Sequence, residues 1–244
     1  MPIKNTLSIM YEDTDIIVCH KPAGIATQTK NPRELDMVDL INRHLYKNTV
    51  KNTPQNNSGA PYLAVIHRLD QPVSGILVFA KTPAAAKQLN LQLQSHGFGK
   101  HYKALLTHCP DETLCNQPLV NYMKKDAKTN TSSICTKNDP LSKKAILNFN
   151  IISSPTEEDF ALFSHCNLSS DNLSSLASLT AVQIILETGR HHQIRVQMAH
   201  IGCPIFGDAK YGNVTQNWEQ IALCAYKLVF KHPTTKKELH FLLP

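Results

Sequence analysis

A chain of 244 residues, 42% of them hydrophobic, suits one sizeable domain or two small ones and can bury a substantial core. No run approaches the ~18 consecutive apolar residues of a membrane span, and Met1-Pro2-Ile3-Lys4-Asn5-Thr6 lacks the apolar stretch of a secretory signal, so a soluble, cytoplasmic protein is expected. The formal charge is +6, and the seven scattered cysteines, without a C-x-x-C pair, read as reduced structural thiols rather than a zinc site or disulfide framework.

In chain order, Ile16-Ile17-Val18 reads as a short strand after the acidic turn Glu12-Asp13-Thr14-Asp15. Residues 34–47 predict a helix, with Val38, Ile41 and Leu45 on one face and Asp39, Asn42 and Arg43 off it. The polar stretch 48–61, with Pro54, Asn56, Asn57 and Gly59, reads as a mobile loop. Two aliphatic runs follow, Ala64-Val65-Ile66 and Ile76-Leu77-Val78-Phe79-Ala80, joined by a turn that Pro72 and Gly75 punctuate. Thr82-Pro83 opens a helix with an N-cap hydroxyl and a proline at the first helical position. That helix is expected to run through Leu89 and Leu93 and to end at Gly97.

His101 to Leu106 reads as a strand that points Tyr102 and Ala104 to one side. Residues 145–152 and 180–186 read as further strands, and the Ser- and Asn-rich 164–178 as an exposed insertion. Residues 193–201 alternate like a strand yet also fit a helix, and Gly202 followed by Pro204 favours the helix. Residues 222–230 form a late strand and 239–243 a final one. Many strands, few helices and no regular βαβ alternation predict an α+β domain over 1–244, a mixed or largely antiparallel sheet with flanking helices.

The positive charge is uneven. Between Lys81 and Asn150 stand ten lysines and four acidic residues, while the rest of the chain has fifteen of each sign. A basic span of this kind favours a polyanion such as RNA.

The most informative segment is His67-Arg68-Leu69-Asp70-Gln71-Pro72-Val73-Ser74-Gly75. It sets an isolated carboxylate, two residues after an arginine, at a turn between buried strands, where an unpartnered charge is costly. His-Arg-Leu-Asp followed four residues later by Ser-Gly resembles the active-site signature of the RluA-type RNA pseudouridine synthases. Three further blocks occur in the order that family shows. They are Tyr11 to Gly24 with its Lys-Pro-Ala-Gly turn, Lys100-His101-Tyr102-Lys103-Ala104-Leu105, and Glu187 to Arg195 continuing through Gly207-Asp208-Ala209-Lys210-Tyr211-Gly212. One departure is that Val73 stands where the family usually has Thr, which bears on substrate preference more than on catalysis. The pattern begins within the first ten residues, so the S4-type RNA-binding module common in the family is not expected.

The resemblance implies the pseudouridine synthase fold, a long bent sheet with a cleft across its middle. It also implies isomerisation of specific uridines in structured RNA, an rRNA or tRNA stem-loop, by a monomer without cofactor or metal. Asp70 is the implied catalytic carboxylate, acting as nucleophile or base. Arg195 is the implied partner of Asp70, suited to bidentate contact. Tyr102 would face the uracil, and Arg68 would enter the stack vacated by a flipped nucleotide. Arg68 sits at i−2 to Asp70, so a plain salt bridge between them is the alternative, and His67 is expected to be a hydrogen-bonded structural residue. Arg190 reads as a phosphate or structural partner.

A metal enzyme finds little support. Adjacent His191 and His192 point apart on a regular element, and no H-x-x-x-H accompanies a carboxylate. Phosphate-loop, dinucleotide and serine-elbow motifs are missing too. The competing reading from another class is a catalytically silent RNA-binding module of the same fold, but Asp70, Tyr102 and Arg195 are all present.

Overall fold

The computed structural model describes residues 7–52, 60–115, 117–152, 157–166, 179–212 and 221–243. They divide into two compact units, one formed by residues up to Phe98 together with Leu228–Leu242, the other by Gly99–Lys227 and the last residues.

In the first unit, β1 (Ser8–Glu12), β2 (Ile16–Lys21) and β4 (Ser74–Ala80) lie side by side and antiparallel, and the two-residue β3 (Ala64–Val65) also pairs with β4. Every residue of β4 is buried, as its unbroken aliphatic sequence demands of a strand covered on both faces. Helix α1 (Met37–Asn52) starts three residues later than expected because Asp36 is its cap, its carboxylate accepting from Asp39 N at 2.8 Å. It also continues five residues past Lys47, into the stretch read as a loop. The rest of that loop expectation, residues 53–59, lies outside the described residues.

Helix α2 (Pro83–Gln94) opens as predicted, with Thr82 Oγ1 accepting from Ala85 N at 3.1 Å, and buries Ala85, Ala86 and Leu89. Its end differs in detail. His96, not Gly97, takes the left-handed conformation (φ 59°), and Gly97 N donates back to Gln92 O at 2.7 Å.

In the second unit the order is β10-β5-β9-β8-β6-β7, with β5 (Gly99–Leu106), β6 (Leu119–Asp126), β7 (Thr131–Cys135), β8 (Lys143–Ile151), β9 (Thr180–Leu186) and β10 (Leu223–Lys231). Residues of β10 contribute to both units, and β11 (Glu238–Leu242) pairs with it. Helix α3 (Glu157–Leu162) runs into a short 3-10 turn, Ser164–Cys166, with Cys166 buried, so the insertion read from residue 164 is structured at its start. Residues 167–178 lie outside the described residues. The ambiguous stretch is helix α4 (Gln193–His200), stopped by Gly202 at φ 78°. Its Val196 packs on Met123 and Ala145 beneath the β6–β7 hairpin, which the sequence reading had not seen. None of the seven cysteines is in a disulfide.

Candidate active site

Asp70 lies on the connection between β3 and β4, partly exposed, in a turn closed by Val73 N donating to Asp70 O at 3.0 Å. The backbone on both sides of it is tied to residues 21–28. Thr27 Oγ1 donates to Leu69 O (2.9 Å) and accepts from Leu69 N (3.1 Å). Gly24 N donates to Gln71 O at 2.9 Å, and the Gln71 amide returns a bond to Gly24 O at 3.1 Å. Gly24 holds φ 88°, a conformation few other residues tolerate, so the turn that meets Gln71 needs glycine there. Val73 is 2% exposed, so the departure from Thr places an apolar side chain in an apolar site.

The residue that joins these loops is one that sequence reasoning passed over. Lys21, the last residue of β2, is fully buried, and its ammonium donates to Pro22 O (3.1 Å), Ile25 O (2.6 Å) and Gln71 O (3.0 Å). A lysine closing an apolar strand just before a proline was the available signal. Burial pushes its pKa down to about 7, and the charge of Asp70 works in the opposite direction. Between about 7 and the ordinary lysine value of 10.5 the unfolded chain carries a proton that the folded one has lost. Stability contributed by this group therefore rises with pH across that window, by up to ~1.4 kcal/mol per pH unit. Lys21→Met should leave carbonyls unsatisfied at about 1–3 kcal/mol each and slacken the Asp70 turn. In denaturant titrations it should lie nearest wild type at pH 6 and fall further behind by pH 9. Parallel stability curves for the two proteins would show that Lys21 does not titrate in the fold.

Arg68 is exposed, and its guanidinium donates to Gln28 Oε1 at 3.1 Å. His67 is structural as expected, its Nε2 accepting from Val78 N at 3.3 Å and its ring edge-on to Phe98.

Tyr102 and Arg195 belong to the second unit. Tyr102 is 7% exposed and shares its face of β5 with Ala104, as the alternation required. Arg195, on α4, is 5% exposed, and its guanidinium is gripped by Asp208. Its Nε reaches Asp208 Oδ2 at 2.8 Å and its Nη2 reaches Oδ1 at 2.7 Å, a bidentate pair. Asp208 Oδ1 also accepts from Lys210 N (3.0 Å) and Tyr211 N (3.3 Å), which brings the Tyr211 ring over the guanidinium, 5.2 Å to its centroid. The Tyr211 hydroxyl accepts from Ser132 N at 2.8 Å and bonds His192 Nδ1 at 2.7 Å, anchoring the cradle to β7. His192, the N-cap of α4, adopts φ 54° and stacks on His191.

The model of the family described as RNA pseudouridylate synthase matches residues 15–200, which takes in the Asp70 turn, Tyr102 and Arg195. The chain belongs to the RNA pseudouridylate synthase family. It is of the RluA type, an isomerase of uridine to pseudouridine. It is 29% identical to the ribosomal large subunit pseudouridine synthase D of Buchnera aphidicola, over 97% of this chain and 69% of that protein. It is 30% identical to the uncharacterized RNA pseudouridine synthase YlyB of Bacillus subtilis, over 98% and 69%. Among solved structures, human RNA pseudouridylate synthase domain containing 4 superposes with a TM-score of 0.69 at 18% identity, over 97% of this chain and 88% of that one. The fold is thus the pseudouridine synthase fold, in its α+β form.

Two site features of this family member were not legible beforehand. Asp208 and Tyr211 stood in a quoted motif without roles, because their work depends on a contact thirteen residues back along the chain. The basic span is less uniformly free than its composition suggested. Lys81 pairs with Glu12, Lys103 with Asp159 and Lys124 with Asp139, and Lys100 is buried. Lys125, Lys128, Lys137, Lys143 and Lys144 are exposed. No group of three or more metal-ligating side chains occurs among the described residues.

Proposed function

We propose that this pseudouridine synthase modifies a uridine of structured RNA, ribosomal or transfer RNA, and that Asp70 is the carboxylate on which the reaction depends. The observation that carries the reading is the partly exposed Asp70 side chain on a turn whose backbone is fixed from both sides by Thr27, Gly24 and Lys21. The isomerisation breaks the bond from C1′ to N1 and forms one from C1′ to C5. The proton lost at C5 is balanced by one gained at N1, so neither redox partner nor energy source is called for. A rigidly held carboxylate that can attack or accept a proton is the group this exchange needs.

Tyr102 is assigned to the uracil, Arg195 to substrate binding, and the exposed Arg68 to the gap left by the flipped nucleotide. The names of the Buchnera relatives favour large-subunit ribosomal RNA as the first substrate to examine. Tyr102→Phe keeps the stacking face, worth ~1–3 kcal/mol per base, so RNA affinity should stay within about threefold of wild type; complete loss of binding would contradict the assignment. The deciding experiment maps pseudouridine in total RNA from cells with and without the protein. A site that disappears with the protein and returns with wild type supports the reading and names the RNA. An unchanged map ends it.

A further inference from the structure

Lys100 is 9% exposed, at the start of β5, and alternates onto the same face as Tyr102 and Ala104. Among the described residues its ammonium has no hydrogen-bond or ion-pair partner. Its neighbour is another cation. Arg190 lies on the turn after β9, and the register sets Lys100 opposite Leu186, where that turn begins. Lys100 Nζ lies against that turn, 3.5 Å from where a Cβ on Gly189 would stand. Arg190 is exposed, and among the described residues only its Nε is committed, to Lys144 O at 2.8 Å. The acidic group of the turn, Glu187, faces Asn148, whose side-chain amide donates to it at 2.9 Å. Burial and Arg190 both hold the Lys100 pKa below the ordinary lysine range.

A buried ammonium set beside a guanidinium, without an anion, is costly to keep. The arrangement makes physical sense when an anion arrives. We infer that Lys100 and Arg190 together hold a phosphodiester of the bound RNA, on the Tyr102 side of β5. This rests on the reading that the protein's substrate is RNA. A phosphate oxygen would take the unspent donors of both side chains, and the compact ammonium and forked guanidinium suit one phosphate between them. The phosphate would fix the strand beside the nucleotide that Tyr102 receives.

The test uses the full chain and a fluorescein-labelled nine-residue oligouridylate, read by anisotropy across a salt series. Lys100→Met removes the buried charge and keeps its volume. We expect the free protein to melt about 3 °C or more higher, while affinity for the oligonucleotide falls about tenfold and the salt slope flattens by ~0.7. Arg190→Gln should weaken binding likewise, and the double variant should lose little beyond either single one, because both side chains serve one phosphate. An oligouridylate with neutral methylphosphonate linkages should bind wild type and Lys100→Met alike. Unchanged affinity and salt slope in Lys100→Met, with wild type binding normally, would overturn the phosphate site alone. Failure of the wild-type protein to bind any RNA would instead bring down the underlying RNA reading.

Discussion

Asp70→Asn should fold, melt within about 2 °C of wild type, and form no measurable pseudouridine. The amide is the same shape as the carboxylate, and several bonds that fix this turn are made by other groups. Val73 N is received by the Asp70 main-chain oxygen, Leu69 is held by Thr27 through its backbone, and Lys21 reaches the Gln71 carbonyl. What the substitution removes is charge and basicity. An amide neither attacks carbon nor accepts a proton at neutral pH, and losing the reacting group of an enzyme lowers turnover on the order of 10⁴-fold or more. Pseudouridine per RNA, counted by mass spectrometry after long incubation at high enzyme concentration, gives the answer. Activity above one hundredth of wild type would place the chemistry on another residue.

Asp208→Asn should produce the largest loss of stability. Arg195 and Asp208 are both buried, and their two short parallel bonds compensate the desolvation of each. Taking the charge from Asp208 strips the buried guanidinium of this bidentate counter-charge, at a cost of about 3–5 kcal/mol. Against a total stability of about 5–15 kcal/mol this is severe. Denaturant midpoints measure it where the variant folds, and the double variant Arg195→Met/Asp208→Asn supplies the control. With both charges gone much of the stability should return, because a neutral pair has less to desolvate, and the asparagine oxygen can still accept from Lys210 N and Tyr211 N. Activity should not return with it, since Arg195 is assigned to the substrate. A double variant as unstable as Asp208→Asn would mean that the damage comes from the turn at 208–212 rather than from the lost counter-charge.

Local features were largely visible in advance. The β4 strand, the Thr82 cap of α2, the facing of Tyr102 on β5 and the helical choice for residues 193–200 follow from side-chain period and capping chemistry. These depend on residues within a few positions of one another. The errors fell at element ends, where one side chain or one backbone conformation sets the boundary. Asp36 shifted the start of α1 by holding both Asp39 N and Thr29 N, and His96 took a left-handed position that glycine would ordinarily fill. The β6–β7 hairpin escaped notice because β7, Thr-Ser-Ser-Ile-Cys, is short and mostly polar, and β6 ends in the exposed charged run Lys124-Lys125-Asp126.

From its residues alone the chain fixed its family and the identity of the Asp70, Tyr102 and Arg195 motifs, because those motifs are short and ordered along the sequence. Only the folded molecule revealed that Lys21 binds the two loops around Asp70, that Asp208 grips Arg195, and that Lys100 lies beside Arg190. The physical reason is the same in each case. Hydrogen bonds and charge compensation act over about three ångströms through space, and the deciding partners, Gln71 for Lys21 and Asp208 for Arg195, lie 50 and 13 residues away along the chain, so no periodicity encodes them.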